Sequence, residues 1–177
     1  MGRKIHDRYP AARAAFERAE EVLGMPVRRL CFEGPGEELN RTDVLQPCVM
    51  ACSWAAYEVW RESHGMADVK VMAGHSLGEF TALAAAGAIS WEAALLLVKE
   101  RGEIMKRAAE ERPGAMIAIV DLDQAKIEAI LTKAGKSGKL YMANRNANVQ
   151  FVLSGEVPAV QEAERLAVVS RRQAGVA

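Results

Sequence analysis

Gly74-His75-Ser76-Leu77-Gly78 sets a serine between two glycines in the G-x-S-x-G pattern, the spacing that presents a hydroxyl as a nucleophile on a sharp strand-to-helix turn. An alcohol is a weak nucleophile at neutral pH, so such a serine needs donors for a developing oxyanion and a base for its proton. The pattern is short enough to arise by chance, and its flanks decide its meaning. Val69 to Ala73 reads as a short apolar strand, and Leu77 to Ala86 as an alanine-rich helix closed by Gly87. Ser76 therefore falls between strand and helix, with Gly74 and Gly78 expected to remove side chains that would clash in the turn. The free amides and dipole of the helix favour negative charge there, which makes the Leu77 N–H the expected oxyanion donor.

Arg101 is the second residue of chemical interest. The helix after Ser90 carries Ala94, Leu97, Val98, Arg101, Ile104, Met105 and Ala108 at helical spacing, so a guanidinium stands where an aliphatic side chain is expected. A charge on an inward face needs an anion. An internal carboxylate such as Glu79 would satisfy it, and so would a substrate carboxylate; spacing alone leaves both open. Gln46 begins a helix that should run antiparallel to the strand and return it to the Ser76 end, as a site residue or as a polar cap. His75 precedes the serine in the tight turn and is read as an orienting or packing residue. His64 belongs at the far end of the strand, His6 has no position that sequence can assign, and no histidine follows Ser76. The chain order Ser, acid, His of α/β-hydrolases is thus not met.

The elements that must position these groups follow from pattern and punctuation. Helices are predicted over Pro10–Leu23 with Gly24 ending it, from Pro47 to about Glu62 after a loop that includes the turn-rich, charged EGPGEELNRTDVLQ, and over Trp91–Glu111 with Ser90 as cap, with Pro113-Gly114 marking a boundary. Beyond it come a strand over Ala115–Val120, a helix over Asp123–Ala134, strands over Leu140–Asn144 and Gln150–Ser154, and a helix from Val157 to about Val169. That order is β-α-β-β-α, a ferredoxin-like unit without its last strand, since SRRQAGVA is too short and polar to supply one. The expected fold class is α/β: a partial α/β-hydrolase-like large subdomain over residues 1–112 and a partial ferredoxin-like small subdomain over residues 113–177.

Composition narrows the partners. Lys plus Arg and Asp plus Glu are 23 each, so bulk charge selects neither nucleic acid nor an anionic membrane. Cys31, Cys48 and Cys52 form no metal or disulfide pattern and read as reduced, small, buried hydrophobes; no metal is expected. The N-terminus lacks an apolar leader and no apolar run is long enough to span a bilayer, which predicts a cytoplasmic chain.

In order along the chain, FEGPGEELNRTDVLQP, GHSLGEFTALAAAGAIS, LLLVKERGEIM, GAMIAIV and ANRNANVQFVLSG resemble the malonyl-CoA:acyl carrier protein transacylases. The resemblance implies that Ser76 takes a malonyl group from coenzyme A as an ester and passes it to the phosphopantetheine thiol of acyl carrier protein. It also implies that Arg101, in its Arg-Gly step, binds the malonyl carboxylate, and that malonyl-CoA is substrate with no bound cofactor. Leu77 after the serine resembles the malonyl-using members. Members commonly have Pro where Asn148 stands, which bears on local loop geometry. The resemblance further implies that the chain starts after the family's first strand and oxyanion loop and stops before its catalytic histidine. On that reading the chain alone is a poor transferase and an incomplete fold. Two rivals remain: a noncatalytic fragment or subunit that docks onto a second chain supplying those parts, and a serine hydrolase or thioesterase, against which Arg101 argues because a neutral acyl chain offers it no partner.

Overall fold

The computed structural model describes residues 1–173, and they divide into two compact units, residues 1–108 and residues 109 onward. In chain order the first unit contains α1 (Arg3–Arg8), α2 (Pro10–Leu23), α3 (Val27–Glu33), α4 (Gly36–Leu39), α5 (Thr42–His64), α6 (Gly78–Ala85) and most of α7 (Trp91–Glu111). The second contains β1 (Ala115–Val120), α8 (Gln124–Ala134), β2 (Leu140–Ala147), β3 (Gln150–Gly155) and α9 (Val157–Gln173).

α2 starts at Pro10, whose missing N–H costs nothing in the first turn, and stops at Gly24, which takes φ 64 while its amide closes onto the Glu20 carbonyl. Ala12, Ala15, Phe16, Ala19 and Leu23 recur every three or four residues and are buried against α5. From α5 come Val44, Cys48, Met50, Ala51 and Ala55, and from α7 come Trp91, Ala94, Leu95 and Val98. Trp54 and Trp91 stack with ring centroids 5.1 Å apart, joining α5 to the start of α7. Each large apolar side chain buried in this way stabilises the unit by roughly 1.5 to 3 kcal/mol. The three thiols are free, with Cys31 and Cys48 buried and Cys52 half-buried.

In the second unit the strands form one antiparallel sheet in the order β1-β3-β2, with Ile117 opposite Leu153 and Leu153 opposite Met142. Alternation sends Ile119, Phe151 and Leu153 into a core with Ile127, Ile130 and Ala134 of α8 and Ala163 and Ala167 of α9. Met116 and Tyr141 point the other way and are exposed. Asp123 caps α8 by accepting from the Lys126 amide at 2.9 Å. Asn148 and Val149 make the turn between β2 and β3.

Several expectations need correction. Val69–Ala73 is not a strand: it has no ladder partner among the described residues, and Val71 is 79% exposed. An apolar β-branched run becomes a strand only when a neighbour pairs its amides and carbonyls, and the only sheet in the described residues lies elsewhere. α5 starts at Thr42 rather than at Pro47, because the Arg41 carbonyl collects the Val44 and Leu45 amides and begins the helix a turn earlier. Pro47 then forfeits a single bond near the helix start. The chain between Gly24 and Gln46, expected to be loop, contains α3, whose Val27, Leu30 and Cys31 are buried at helical spacing. β2 runs on to Ala147 through irregular register between Met142 and Asn144 and again between Arg145 and Ala147. α9 continues to Gln173; the rest of SRRQAGVA lies outside the described residues.

Candidate functional site

The turn around Ser76 is built by close backbone approach. A Cβ at Gly74 would come within 2.0 Å of the Gly78 carbonyl, so only glycine fits there. The expectation for Gly78 fails: a Cβ at that position meets nothing within 4 Å, and the backbone of Gly78 is instead what crowds Gly74. Ser76 itself adopts φ 56, in the left-handed region that a non-glycine residue occupies at a cost. Its neighbours fix that conformation, since the Gly78 amide bonds the His75 carbonyl at 2.9 Å and the Glu79 amide bonds the Ser76 carbonyl at 3.2 Å. α6 begins immediately afterwards, with Leu77 at its N-cap and Glu79 in its first turn.

Arg101 reaches this turn from α7. Its Nη2 donates to Ser76 Oγ at 2.9 Å, and its Nη1 donates to Gln46 Oε1. Among the described residues no carboxylate forms an ion pair with it, and Glu79 is not its partner. The sequence stripe was also rotated. The buried face of α7 is Trp91, Ala94, Leu95, Val98 and Gly102, while Leu97, Ile104 and Met105 are exposed. Arg101 is thus half-buried on a rim, with neutral hydrogen-bond partners, rather than sunk in the core.

Gly102 explains how Arg101 comes so close to α5. A Cβ there would lie 2.9 Å from the Thr42 carbonyl oxygen and 3.1 Å from the Asp43 Cα, so the helices touch backbone to side at this point. Asp43 is held on the same edge by Arg41 at 2.7 Å and Lys106 at 3.4 Å. These cations, Arg41 foremost, hold its carboxyl below the usual carboxylate range despite partial burial. Sequence reading missed this role of Gly102; a glycine in an otherwise unbroken helix was the available signal.

Gln46 is 8% exposed, the buried polar side chain of the first unit's core. The earlier start of α5 puts it inside the helix, so it is not a terminal cap. Its Nε2 lies 3.3 Å from Met105 Sδ. Thr42, Leu45, Gln46, Val49, Ser76, Leu77, Arg101 and Met105 line one groove of about 350 Å³. Of the sequence-derived site residues, Ser76, Leu77, Arg101 and Gln46 are brought together there.

His75 is exposed on the shoulder of the turn and is not among the groove's lining residues. His64 ends α5 and stacks on Trp60. His6 lies in α1, edge-on to Phe16 and Phe32, with Nδ1 2.9 Å from Asp7. None of the three histidines lines the groove. Among the described residues no group of three or more His, Cys, Asp or Glu side chains is arranged to hold a metal ion, and no helix is long and apolar enough to cross a membrane.

A mixed α/β chain with a small antiparallel sheet and a serine elbow facing an arginine defines a class, and comparison with known proteins identifies it. Residues 1–176 match the acyl transferase domain family, and the chain belongs to that family of enzymes. It is 39% identical over 168 residues to the malonyl CoA-acyl carrier protein transacylase of Bacillus subtilis strain 168, covering 94% of this chain and 52% of that protein. The solved structure of the malonyl CoA-acyl carrier protein transacylase of Coxiella burnetii superimposes with a TM-score of 0.88 at 35% identity, over 96% of this chain and 54% of that one. A malonyl-transacylase in complex with its type II polyketide synthase acyl-carrier protein superimposes with a TM-score of 0.85 at 37% identity, over 93% and 53%. The chain spans about half the length of the curated relatives it matches.

Proposed function

We propose that this chain carries the nucleophile and the carboxylate-recognising half of a malonyl transfer site. The observation that carries the reading is the 2.9 Å contact between Arg101 Nη2 and Ser76 Oγ, made by a guanidinium whose described partners are all neutral. In this reading the donor is malonyl-CoA and its carboxylate takes the free charge of Arg101. Ser76 Oγ attacks the thioester carbonyl, the Leu77 N–H donates to the oxyanion, and the coenzyme A thiol leaves with a proton. The phosphopantetheine thiol of acyl carrier protein then attacks the Ser76 ester and carries the malonyl group away, in fatty acid or polyketide synthesis. Gln46 orients Arg101, and His75 orients the turn. No cofactor or metal enters the reaction, and the setting is the cytoplasm.

The finer fold reading belongs with this proposal. Residues 1–112 act as part of an α/β-hydrolase-like subdomain, for which the strained serine before α6 is the support. Residues 113–177 act as a ferredoxin-like unit lacking a strand, for which the antiparallel order β1-β3-β2 with α8 and α9 on one face is the support. A second reading, a subunit needing another chain to supply base and oxyanion loop, is favoured by one observation: no histidine lines the groove.

Equilibrium binding of malonyl-CoA and acetyl-CoA to the chain and to Arg101→Ala tests the proposal. The chain should prefer malonyl-CoA, and the variant should lose that preference at a cost of about 2 to 5 kcal/mol in malonyl-CoA affinity. Equal affinity for the two thioesters in the unaltered chain would refute it.

A further inference from the structure

We infer that Met105 is a positioning residue of this site: its thioether sulfur fixes the side-chain amide of Gln46 in one orientation, and Gln46 in turn fixes the guanidinium of Arg101. This rests on the reading above for what Arg101 binds, but the positioning itself rests on contacts within the first unit.

Arg101 and Met105 are one turn apart on α7, so they share a face, and that face meets Gln46 of α5. The amide of Gln46 lies between them. Its Oε1 accepts from Arg101 Nη1, and its Nε2 donates toward Met105 Sδ at 3.3 Å. Each partner permits one polarity only. A guanidinium has donors and no acceptor, so the amide must turn its oxygen toward Arg101. A thioether has lone pairs and no hydrogen, so the amide must turn its nitrogen toward Met105. Rotating the amide by half a turn would set N–H against N–H at one end and oxygen against sulfur lone pairs at the other. The two contacts therefore reinforce each other.

Burial makes the orientation consequential. Gln46 is 8% exposed, so an amide proton that lost its acceptor would have little water to turn to. With the sulfur in place, Gln46 presents a fixed oxygen, Arg101 Nη1 is anchored on it, and Nη2 is left aimed at Ser76 Oγ at 2.9 Å. The chain of contacts runs Met105, Gln46, Arg101, Ser76, across α7, α5, α7 and the elbow. Methionine in a groove lining is ordinarily read as adaptable apolar packing. Here Met105 is 44% exposed, so burial of its side chain does not account for it, and the position of its sulfur against a buried amide does.

Met105→Leu keeps an apolar side chain of similar volume and removes the acceptor; Met105→Gln returns an acceptor oxygen on a side chain of similar length. The side-chain amide of Gln46 and the guanidinium of Arg101, followed by nitrogen-15 NMR in the unliganded chain, report on the positioning without any substrate. In the unaltered chain the Gln46 NH₂ should give a resolved, slowly exchanging pair. In Met105→Leu it should exchange faster and move toward the shifts of an exposed glutamine, with the Arg101 signals broadening in step, and Met105→Gln should restore both. Malonyl-CoA affinity should fall roughly three- to tenfold in Met105→Leu, with a smaller loss for acetyl-CoA. Unchanged Gln46 and Arg101 signals in Met105→Leu, or equal losses for both thioesters, would overturn the inference. If the unaltered chain fails to distinguish the two thioesters, the malonyl reading falls, and the unliganded spectra still decide the role of Met105.

Discussion

Arg101 Nη2 stands 2.9 Å from Ser76 Oγ, so the cation that would hold a substrate carboxylate and the oxygen that would attack its carbonyl are in direct contact. That contact sets a length. In a malonyl group the two carbonyl carbons are separated by two C–C bonds, roughly 2.5 Å. An acyl group pinned at Arg101 by its carboxylate can then bring its thioester carbon to Ser76 only if the spacer is that short.

Succinyl-CoA should therefore bind through the same carboxylate and transfer poorly. Its extra methylene displaces the thioester by about 1 Å or more, a misplacement that costs on the order of 10²-fold in rate. Acylation rates with malonyl-CoA and succinyl-CoA at saturating donor check this; equal rates would mean that Arg101 does not set the register.

Gly102→Ala should lower stability by about 1 to 2 kcal/mol, although alanine is the better helix former. The new methyl meets the Thr42 carbonyl oxygen at 2.9 Å, and backbone on backbone cannot move aside as a flexible side chain can. Urea unfolding measures the loss. The same shift should part Gln46 from Arg101, so malonyl-CoA affinity should fall with it.

The strained serine predicts a difference between two variants that both lack the hydroxyl. At φ 56 an alanine pays the left-handed penalty and a glycine does not. Ser76→Gly should be more stable than Ser76→Ala by roughly 0.5 to 1 kcal/mol, after the larger chain entropy of glycine is counted. Thermal unfolding of the pair, side by side, is the check.

Acid should weaken the edge where α5 meets α7. Arg41, then Lys106, hold the Asp43 carboxyl below its ordinary value of 3.8 in the folded chain. The folded state thus binds fewer protons there than the unfolded one, and the stabilisation is present above about pH 4 and lost as pH falls through the folded value. Asp43→Asn should be less stable than the unaltered chain at pH 7, with the gap closing toward pH 3 in urea titrations.

What the sequence made legible was local. Pro10, Gly24 and Ser90 punctuate helix ends, and the alternation in Ala115–Val120 and Gln150–Gly155 marks a face that one sheet buries. Val69–Ala73 was misread because strand formation depends on a neighbour, and composition says nothing about neighbours. α3 was missed because Gly24, Gly34 and Pro35 around it suggested loop, while the spacing of Val27, Leu30 and Cys31 carried the opposite signal. At the site, Ser76 and Arg101 could be picked out as residue types out of place. Their contact could not, since it depends on Gly102 letting α7 close on α5, a distance between helices that no periodicity encodes. Met105 was read as one more apolar position for the same reason.

The central claim is that Ser76 is the residue acylated and that Arg101 selects the carboxylated donor. Stoichiometric incubation of the chain, together with any complementing piece that supplies a base, with malonyl-CoA, followed by proteolysis and mass mapping, tests it most directly, because it locates the acyl group on a residue. The account predicts a malonyl ester on Ser76, far less label from acetyl-CoA, and no such difference in Arg101→Ala. A label on Cys52 or any other residue, or equal labelling of Ser76 by both donors, would contradict it.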